Sequence, residues 1–132
     1  MSWVARLVLP MLLVGHGVAH LPGFLVAWQL REFPGLPYTT TVARGAIEIG
    51  PAGTRVLGVL WLGTGLACLV AAGGILAPVP WSSQLTWAVL AVSTLLCVLG
   101  WPAARLGLVA NSLIAALLLV AGKLEWLARN TP

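Results

Sequence analysis

Two long stretches without a charged side chain limit what this chain can fold into. Leu7–Leu30 holds 24 such residues with histidine neutral, and Val56–Ala104 holds 49. A helix of the first length is about 36 Å long and crosses a hydrocarbon core of about 30 Å. The second stretch is too long for one span. Its centre, Pro78–Gln84, has turn residues and an interfacial tryptophan, which indicates a hairpin of two membrane helices.

The charge content excludes the usual soluble alternatives. Only 8% of the residues are charged, whereas a soluble domain has about a quarter, and so short a chain has a large surface to cover. The seven Lys and Arg occur singly, without the basic run or stripe that binds nucleic acid. The expected partner is therefore the lipid bilayer, with a homo-oligomer or a larger membrane complex left open, and nucleic acid is not expected.

The hydropathy pattern predicts an all-α transmembrane four-helix bundle as a single domain over residues 1–132. Gly100-Trp101-Pro102 ends the third helix, and Pro102 suits the first turn of the fourth. The predicted helices lie near residues 5–28, 54–77, 84–101 and 103–127.

The connection over residues 29–53 is predicted to contain a short interfacial helix. Within Thr41–Ile49, apolar residues alternate with Arg44 and Glu48 at helical spacing, and Gly50-Pro51 ends the pattern. Four crossings place both termini on one side of the membrane, here called face A. Face B is the side with residues 29–53 and the connection between the last two helices. Face B has four arginines and face A three basic residues, so the positive-inside rule does not choose an orientation.

His16 and His20 are the most informative polar residues, because hydrocarbon penalises polar groups and these two lie within the first span. Residues four apart share a helix face, and two imidazoles at that spacing can bind one metal ion. Gly17 occupies the position where zinc hydrolases have glutamate, which disfavours that chemistry. One helix face also cannot supply both axial ligands of a haem. A packing role through hydrogen bonds to neighbouring helices remains the simplest alternative.

Depth along the helices groups further polar residues with the histidines. At 1.5 Å per residue, His20 lies about 12 Å inside face B. The other polar residues at about 10–15 Å are Trp61, Thr64, Ser93, Thr94 and Asn111. This layer is predicted to form a ligand-binding pocket that opens toward face B, with Glu48 reaching it if its helix dips inward. Hydrogen bonding within a bundle core is the alternative.

Small residues and cysteines complete the pattern. Gly15-Ala19-Gly23 and Gly107-Asn111-Ala115 form rows at the spacing that lets membrane helices approach closely. Cys68 and Cys97 differ in depth by about 15 Å, so no disulfide between them is expected. With three acidic residues and no nucleophile or phosphate-binding motif, an independent enzyme is disfavoured.

The stretch Leu13–Phe24 contains the pattern His-Gly-x-x-His-Leu-x-Gly-Phe, from His16 to Phe24. It resembles the start of a group of uncharacterised four-helix bacterial membrane proteins, which open with this pattern. Arg55–Leu62 is similar to their second helix and Ala104–Asn111 to the start of their fourth, so the resemblance covers about residues 6–122. It implies a bacterial cytoplasmic membrane and groups His16 and His20 with Trp61 and Asn111.

A looser resemblance connects the chain with DoxX-like four-helix proteins, through Arg6–Gly17 and the glycine-rich second helix. Two departures are visible. The DoxX pattern follows the glycine with a lysine, where this chain has His20 nearby. Pro102-Ala103-Ala104 stands where an aspartate is expected near the start of the fourth helix. Neither resemblance implies a known reaction.

Two functional classes therefore remain. The first is an accessory or structural membrane subunit, whose small-residue rows would face outward and whose polar layer would satisfy its own hydrogen bonds. The second is a binding protein for a metal, haem, quinone or small amphiphile at His16 and His20. It requires a cavity at that depth with access from face B.

Overall fold

Four long apolar helices dominate the fold in the computed structural model, which describes the backbone over residues 3–130 and side chains within 6–124. Each helix is long and apolar enough to cross a bilayer, as an all-α transmembrane bundle requires. This confirms the fold class that the sequence predicts. The first span consists of two helical segments, α1 (Trp3–Ala19) and α2 (Leu21–Ala27). The other three spans are α3 (Gly50–Leu76), α4 (Ser82–Leu99) and α5 (Arg105–Asn130).

The helices close into a ring in which α1 packs against α3 and α5, and α4 packs against the same two. The apolar core fills the face A half of this ring, between the start of α1 and the end of α3. The buried residues of that core are Leu9, Leu13, Ala71, Ala72, Ile75, Leu90 and Ile114. The buried polar residues at the level of His16 and His20 lie on its face B side.

The first membrane span is broken at His20, where the sequence predicts one continuous helix. Pro22 has no N–H, so the carbonyl of Val18 loses its helical partner. The His20 N–H bonds to Gly17 O at 3.2 Å, and the Gly23 N–H bonds to His20 O at the same distance. These three-residue spacings tighten the backbone between α1 and α2. His20 therefore occupies the joint between two helical segments.

The predicted interfacial helix over residues 41–49 is wrong, because these residues form a small β-hairpin. Strand β1 (Thr41–Val42) pairs antiparallel with β2 (Ile47–Glu48). The turn between them runs through three consecutive residues at positive φ: Ala43 at 51°, Arg44 at 60° and Gly45 at 84°. A right-handed helix cannot contain such a run.

Two helix starts also differ from the sequence prediction. Helix α3 begins at Gly50 rather than at 54, with Pro51 in its first turn, so the Gly-Pro pair opens this helix instead of ending another. Helix α5 begins at Arg105 rather than at 103, because Trp101–Ala104 form a turn. Pro102 lies in that turn and not in the first turn of α5.

Helices α1 and α3 approach closely where Gly17 meets Gly65. A Cβ added at either glycine would lie 2.8 Å from the carbonyl oxygen of the other, which leaves no room for a side chain. Gly15, which the row Gly15-Ala19-Gly23 places at an interface, faces open space. The inward face of α1 carries Leu13, His16 and Gly17, so Gly15 points away from α3.

A candidate ligand-binding site

Ser93 of α4 joins three of the polar side chains that the depth argument groups. Its Oγ lies 2.9 Å from His16 Nε2, 3.1 Å from His20 Nε2 and 3.0 Å from Asn111 Nδ2. Ser93 is fully buried, and both histidines and Asn111 are nearly so. One hydroxyl therefore connects the first span, α4 and α5 at a single depth.

The hydrogen positions in this cluster follow from which atoms can only accept. His20 Nδ1 lies 2.8 Å from the carbonyl oxygen of His16, so Nδ1 donates. In a neutral ring Nε2 of His20 then accepts, and the single hydroxyl hydrogen of Ser93 is donated to it. His16 Nε2 must consequently donate to Ser93 Oγ. The bonding is complete with two neutral imidazoles of opposite tautomer.

The break in the first span makes this arrangement available. In an unbroken helix the carbonyl of His16 would accept the N–H of His20. Here that N–H bonds to Gly17 instead, which leaves the carbonyl of His16 for the His20 ring. The His16 carbonyl thus sets the tautomer of His20.

Trp61 of α3 covers the histidine pair. The centroids of the His20 and Trp61 rings are 5.1 Å apart, and those of the two imidazoles are 4.6 Å apart in an edge-to-face arrangement. Gly23 of α2 gives the indole its space, since a Cβ there would lie 2.7 Å from the Trp61 ring. This contact explains why Gly23 is needed, whereas the sequence assigns it only to a general packing row.

Asn111 ties the cluster to Thr94 as well. Its Nδ2 donates to Ser93 Oγ and, at 3.1 Å, to Thr94 Oγ1. Its Oδ1 is the one buried side-chain oxygen or nitrogen within the described residues that has no hydrogen-bond partner. The cluster is therefore satisfied at Ser93 but keeps an unused acceptor on Asn111.

A cavity of about 820 Å³ lies between this cluster and face B. His16, His20 and Trp61 form its floor, while α2, the start of α3 and the turn between α4 and α5 form its walls. Its volume lies within the range of about 300–1,000 Å³ typical of sites for small organic molecules. Most of its lining is apolar.

The β-hairpin and the segment before it cover the cavity on the face B side. The Ala43 N–H donates to Leu99 O at 2.8 Å, which attaches the hairpin turn to the end of α4. The guanidinium carbon of Arg44 lies 5.6 Å from the centroid of the Trp101 ring, within the range of a cation–π contact. Both Arg44 and Trp101 line the cavity.

We infer that the cavity opens on the side between α2 and α5. Helix α2 packs on α3, whereas α5 packs on α1 and α4, so α2 and α5 do not pack closely. Gly23 and Val26 line the cavity from one side, and Leu106 and Gly107 line it from the other. Both helices belong to apolar spans, and we infer that the opening faces the hydrocarbon of the bilayer.

Four predicted site residues do not line the cavity. Asn111 and Thr94 belong to the hydrogen-bonded cluster beneath its floor, and the other two lie elsewhere. The Thr64 hydroxyl donates to Leu60 O at 2.8 Å within its own helix, and Thr64 lines a hollow between α3 and α4 instead of the cavity. Glu48 is exposed, and its Oε1 accepts the Gly50 N–H at 2.9 Å. Glu48 was expected on a helix that dips inward, but it lies on strand β2. Its carboxylate therefore bonds to the first N–H of α3 and does not reach the cavity.

Sequence reasoning missed the wall formed by Leu99–Arg105 and the role of Arg44 in the roof. The residues Gly100-Trp101-Pro102 indicated only a helix end, and Arg44 was assigned to a helix surface. The sequence does place both arginines at face B: Arg44 lies within the first connection there, and Arg105 directly follows the second. Depth along the helices cannot show that these two connections meet.

The donor set fits an organic ligand better than a metal ion. Within the described residues no group of three or more His, Cys, Asp and Glu side chains could hold a metal. His20 has hydrogen bonds at both ring nitrogens, and His16 Nε2 is directed at Ser93. Cys68 and Cys97 are free and buried, as their different depths predict.

Comparisons with protein-family models, characterised proteins and solved structures gave no match to this chain. Its class therefore rests on the fold alone. Four helices of spanning length and apolar composition indicate a multi-pass membrane protein in contact with the lipid bilayer.

Proposed function

We propose that this protein binds a small amphiphilic organic molecule in the cavity above His16 and His20. The observation that carries the proposal is the cavity itself, about 820 Å³ in volume, mostly apolar, and floored by the histidine pair and Trp61. Sites for small ligands combine an apolar lining with a few fixed polar groups. The bonds to Ser93 hold both imidazoles in place, so the floor is ordered before a ligand arrives.

The hydrogen bonding of the floor favours an amphiphile over a metal or a haem. Three of the four imidazole nitrogens are engaged within the protein, and a metal would have to displace those bonds. A ligand with an apolar body fits without breaking them. An opening between α2 and α5 suits a molecule that is already dissolved in the bilayer.

Ala19→Trp and Val18→Trp form a matched pair for testing this proposal. Ala19 lines the cavity and Val18 does not, although both are exposed neighbours near the end of α1. The added indole fills the cavity in the first variant and projects into lipid in the second. The protein, in nanodiscs of neutral phosphatidylcholine, would be mixed with dodecanol or dodecanoate and examined by native mass spectrometry.

The expected result is a one-to-one complex with at least one of the two probes. It should form with the wild type and Val18→Trp and be lost in Ala19→Trp. The proposal is wrong if neither probe forms such a complex, or if both variants bind as the wild type does.

An accessory role beside another membrane helix is the second candidate. Gly15, Gly63, Gly73 and Gly122 have open space in front of them, and Gly63 borders an apolar hollow of about 370 Å³ between α3 and α4. Small residues on an outer face allow a further helix to approach closely. Gly63→Leu should then weaken a complex detected by cross-linking in membranes, while leaving the cavity unchanged.

We propose that the protein lies in the bacterial cytoplasmic membrane. We also propose that it is related to the four-helix group with the His-Gly-x-x-His pattern and, more loosely, to the DoxX-like proteins. The support is the motif His16–Phe24 and the bias toward Ala, Leu, Val, Gly and Arg, which is typical of a GC-rich bacterium. Expression in a bacterial host and membrane fractionation would test the location.

A further inference from the structure

The charged residues of the cavity all have one sign. Arg44 and Arg105 line it, and no Asp or Glu is among its lining residues. Both arginines are exposed, and both lie at the face B end of the molecule. The floor and most of the wall are apolar or neutral. Positive charge is therefore concentrated at the face B end of the cavity, where a bound amphiphile would have its polar group.

The hairpin turn that places Arg44 beside the cavity has a strained backbone. Ala43 and Arg44 both have positive φ, which costs a residue other than glycine free energy. The bond from Ala43 N–H to Leu99 O and the stacking of Arg44 on Trp101 maintain this turn. Strained conformations of this kind are kept where the surrounding structure over-determines them, and they cluster at ligand-binding positions.

Arg105 lines the same cavity as Arg44. It is the first residue of α5, so its guanidinium and the positive end of the α5 dipole lie on one side of the cavity. Leu106 and Gly107, the next residues of that helix, also line the cavity. Two arginines from separate connections and one helix end thus line the same end of one cavity.

From this arrangement we propose that the ligand is an anionic amphiphile with a carboxylate or phosphate head. The head binds between Arg44 and Arg105, and the apolar chain lies over Trp61 and the histidine pair and leaves between α2 and α5. This inference rests on the proposed function, since it names the chemical class of the molecule in that same cavity. Arginine suits the role because its planar guanidinium pairs with carboxylate and phosphate oxygens.

The test compares heads of different charge on one chain length. Dodecanoate, dodecyl phosphate and dodecanol would be titrated against the protein in phosphatidylcholine nanodiscs, with one-to-one complexes counted by native mass spectrometry. The two anionic probes should bind at least about tenfold more tightly than dodecanol. Their advantage should shrink as salt is raised, because exposed charges are screened.

A matched pair of double variants separates the cavity from the general charge of face B. Arg44→Gln/Arg105→Gln removes the two cavity cations. Arg31→Gln/Arg55→Gln removes the same charge from two face B arginines that stack on Phe33 and Trp28 and do not line the cavity. Arg44→Gln/Arg105→Gln should weaken binding of the anionic probes by about fivefold for each arginine. This is the contribution of one basic residue to binding at an anionic membrane surface. The second pair should change it less than twofold.

The outcomes distinguish the two proposals. If dodecanol binds as tightly as the anionic probes, or if both double variants weaken binding equally, the anionic head is wrong while amphiphile binding stands. If none of the three probes forms a complex that Ala19→Trp abolishes, both proposals are wrong. Arg44→Lys/Arg105→Lys should retain most of the preference for anionic heads, which shows that the charge and not a folding defect is responsible.

Discussion

Ser93 Oγ and His16 Nε2 are 2.9 Å apart across the centre of the bundle, between α1 and α4, and both residues are buried. The same oxygen contacts His20 and Asn111, so its capacity of one donated and two accepted hydrogen bonds is filled. The polar layer is thus organised around a serine, although the two histidines are the more conspicuous residues in the sequence.

Replacing Ser93 by alanine should destabilise the bundle by about 2–4 kcal/mol. Three buried hydrogen bonds are lost together, and interhelical hydrogen bonds in membranes contribute about 0.6–1.7 kcal/mol each. Ser112→Ala is the control, because that hydroxyl is exposed and bonds only to Leu108 O on its own helix. Unfolding by SDS in mixed micelles measures both variants. Equal stability of the two would contradict the bonding scheme.

The two histidines should be neutral and of opposite tautomer. His20 is expected as the Nδ1–H form, since its Nδ1 donates to the His16 carbonyl, and His16 as the Nε2–H form. The ¹⁵N chemical shifts of the imidazoles in solid-state NMR distinguish these forms, with His16→Asn providing the assignment. Two Nε2–H rings would show that the His16 carbonyl does not fix the tautomer of His20.

Gly107→Ala should separate α5 from α4. The added Cβ would lie 2.5 Å from Cys97 Sγ, so the helices must move apart, at a cost of about 1–3 kcal/mol. Gly122→Ala on the same helix meets nothing within 4 Å and should cost nothing. Adding Cys97→Ala to Gly107→Ala removes the sulfur and should recover part of the loss. If the double variant is no more stable than Gly107→Ala, the contact is not the cause.

Glycine substitutions in the hairpin turn should have opposite effects at two positions. Ala43 has a φ of 51°, so Ala43→Gly relieves strain and should stabilise the turn by up to about 1 kcal/mol. Ala46 is not among the residues with positive φ, so Ala46→Gly mainly increases the freedom of the unfolded chain and should destabilise by about 0.5–1 kcal/mol. Amide hydrogen exchange of the hairpin residues reports both effects, and a shared sign would argue against the turn geometry.

The connection that precedes α3 and the connection that follows it should be accessible from opposite sides of the membrane. Cys68 and Cys97 are buried and should not react, so single cysteines introduced at Ala46 and Ser83 can be labelled with a membrane-impermeant maleimide. Ala46 lies in the hairpin and Ser83 in the first turn of α4, and both are exposed. In sealed vesicles one position should react without detergent and the other only with it. Labelling of both from outside would rule out four crossings.

The sequence predicts how deep each site residue lies in the membrane, but not which neighbour its side chain faces. The depth of His20, Ser93 and Asn111 follows from counting residues along helices, and these three do meet. Thr64 lies at a similar depth but on another face of its helix, where its hydroxyl bonds to Leu60. Counting residues gives the depth of a side chain along its helix. The direction in which that side chain points depends on how the helices pack.

The sequence by itself determined that the chain is a bundle of four membrane helices, because uncharged stretches of spanning length have no other stable form in lipid. It also placed the polar layer at one depth. The tertiary structure alone decided the break at His20, the hairpin in place of a helix, and the meeting of Arg44 and Arg105 at one cavity. Those features depend on contacts between segments distant in the chain, such as Ala43 with Leu99, and local propensity carries no record of such contacts.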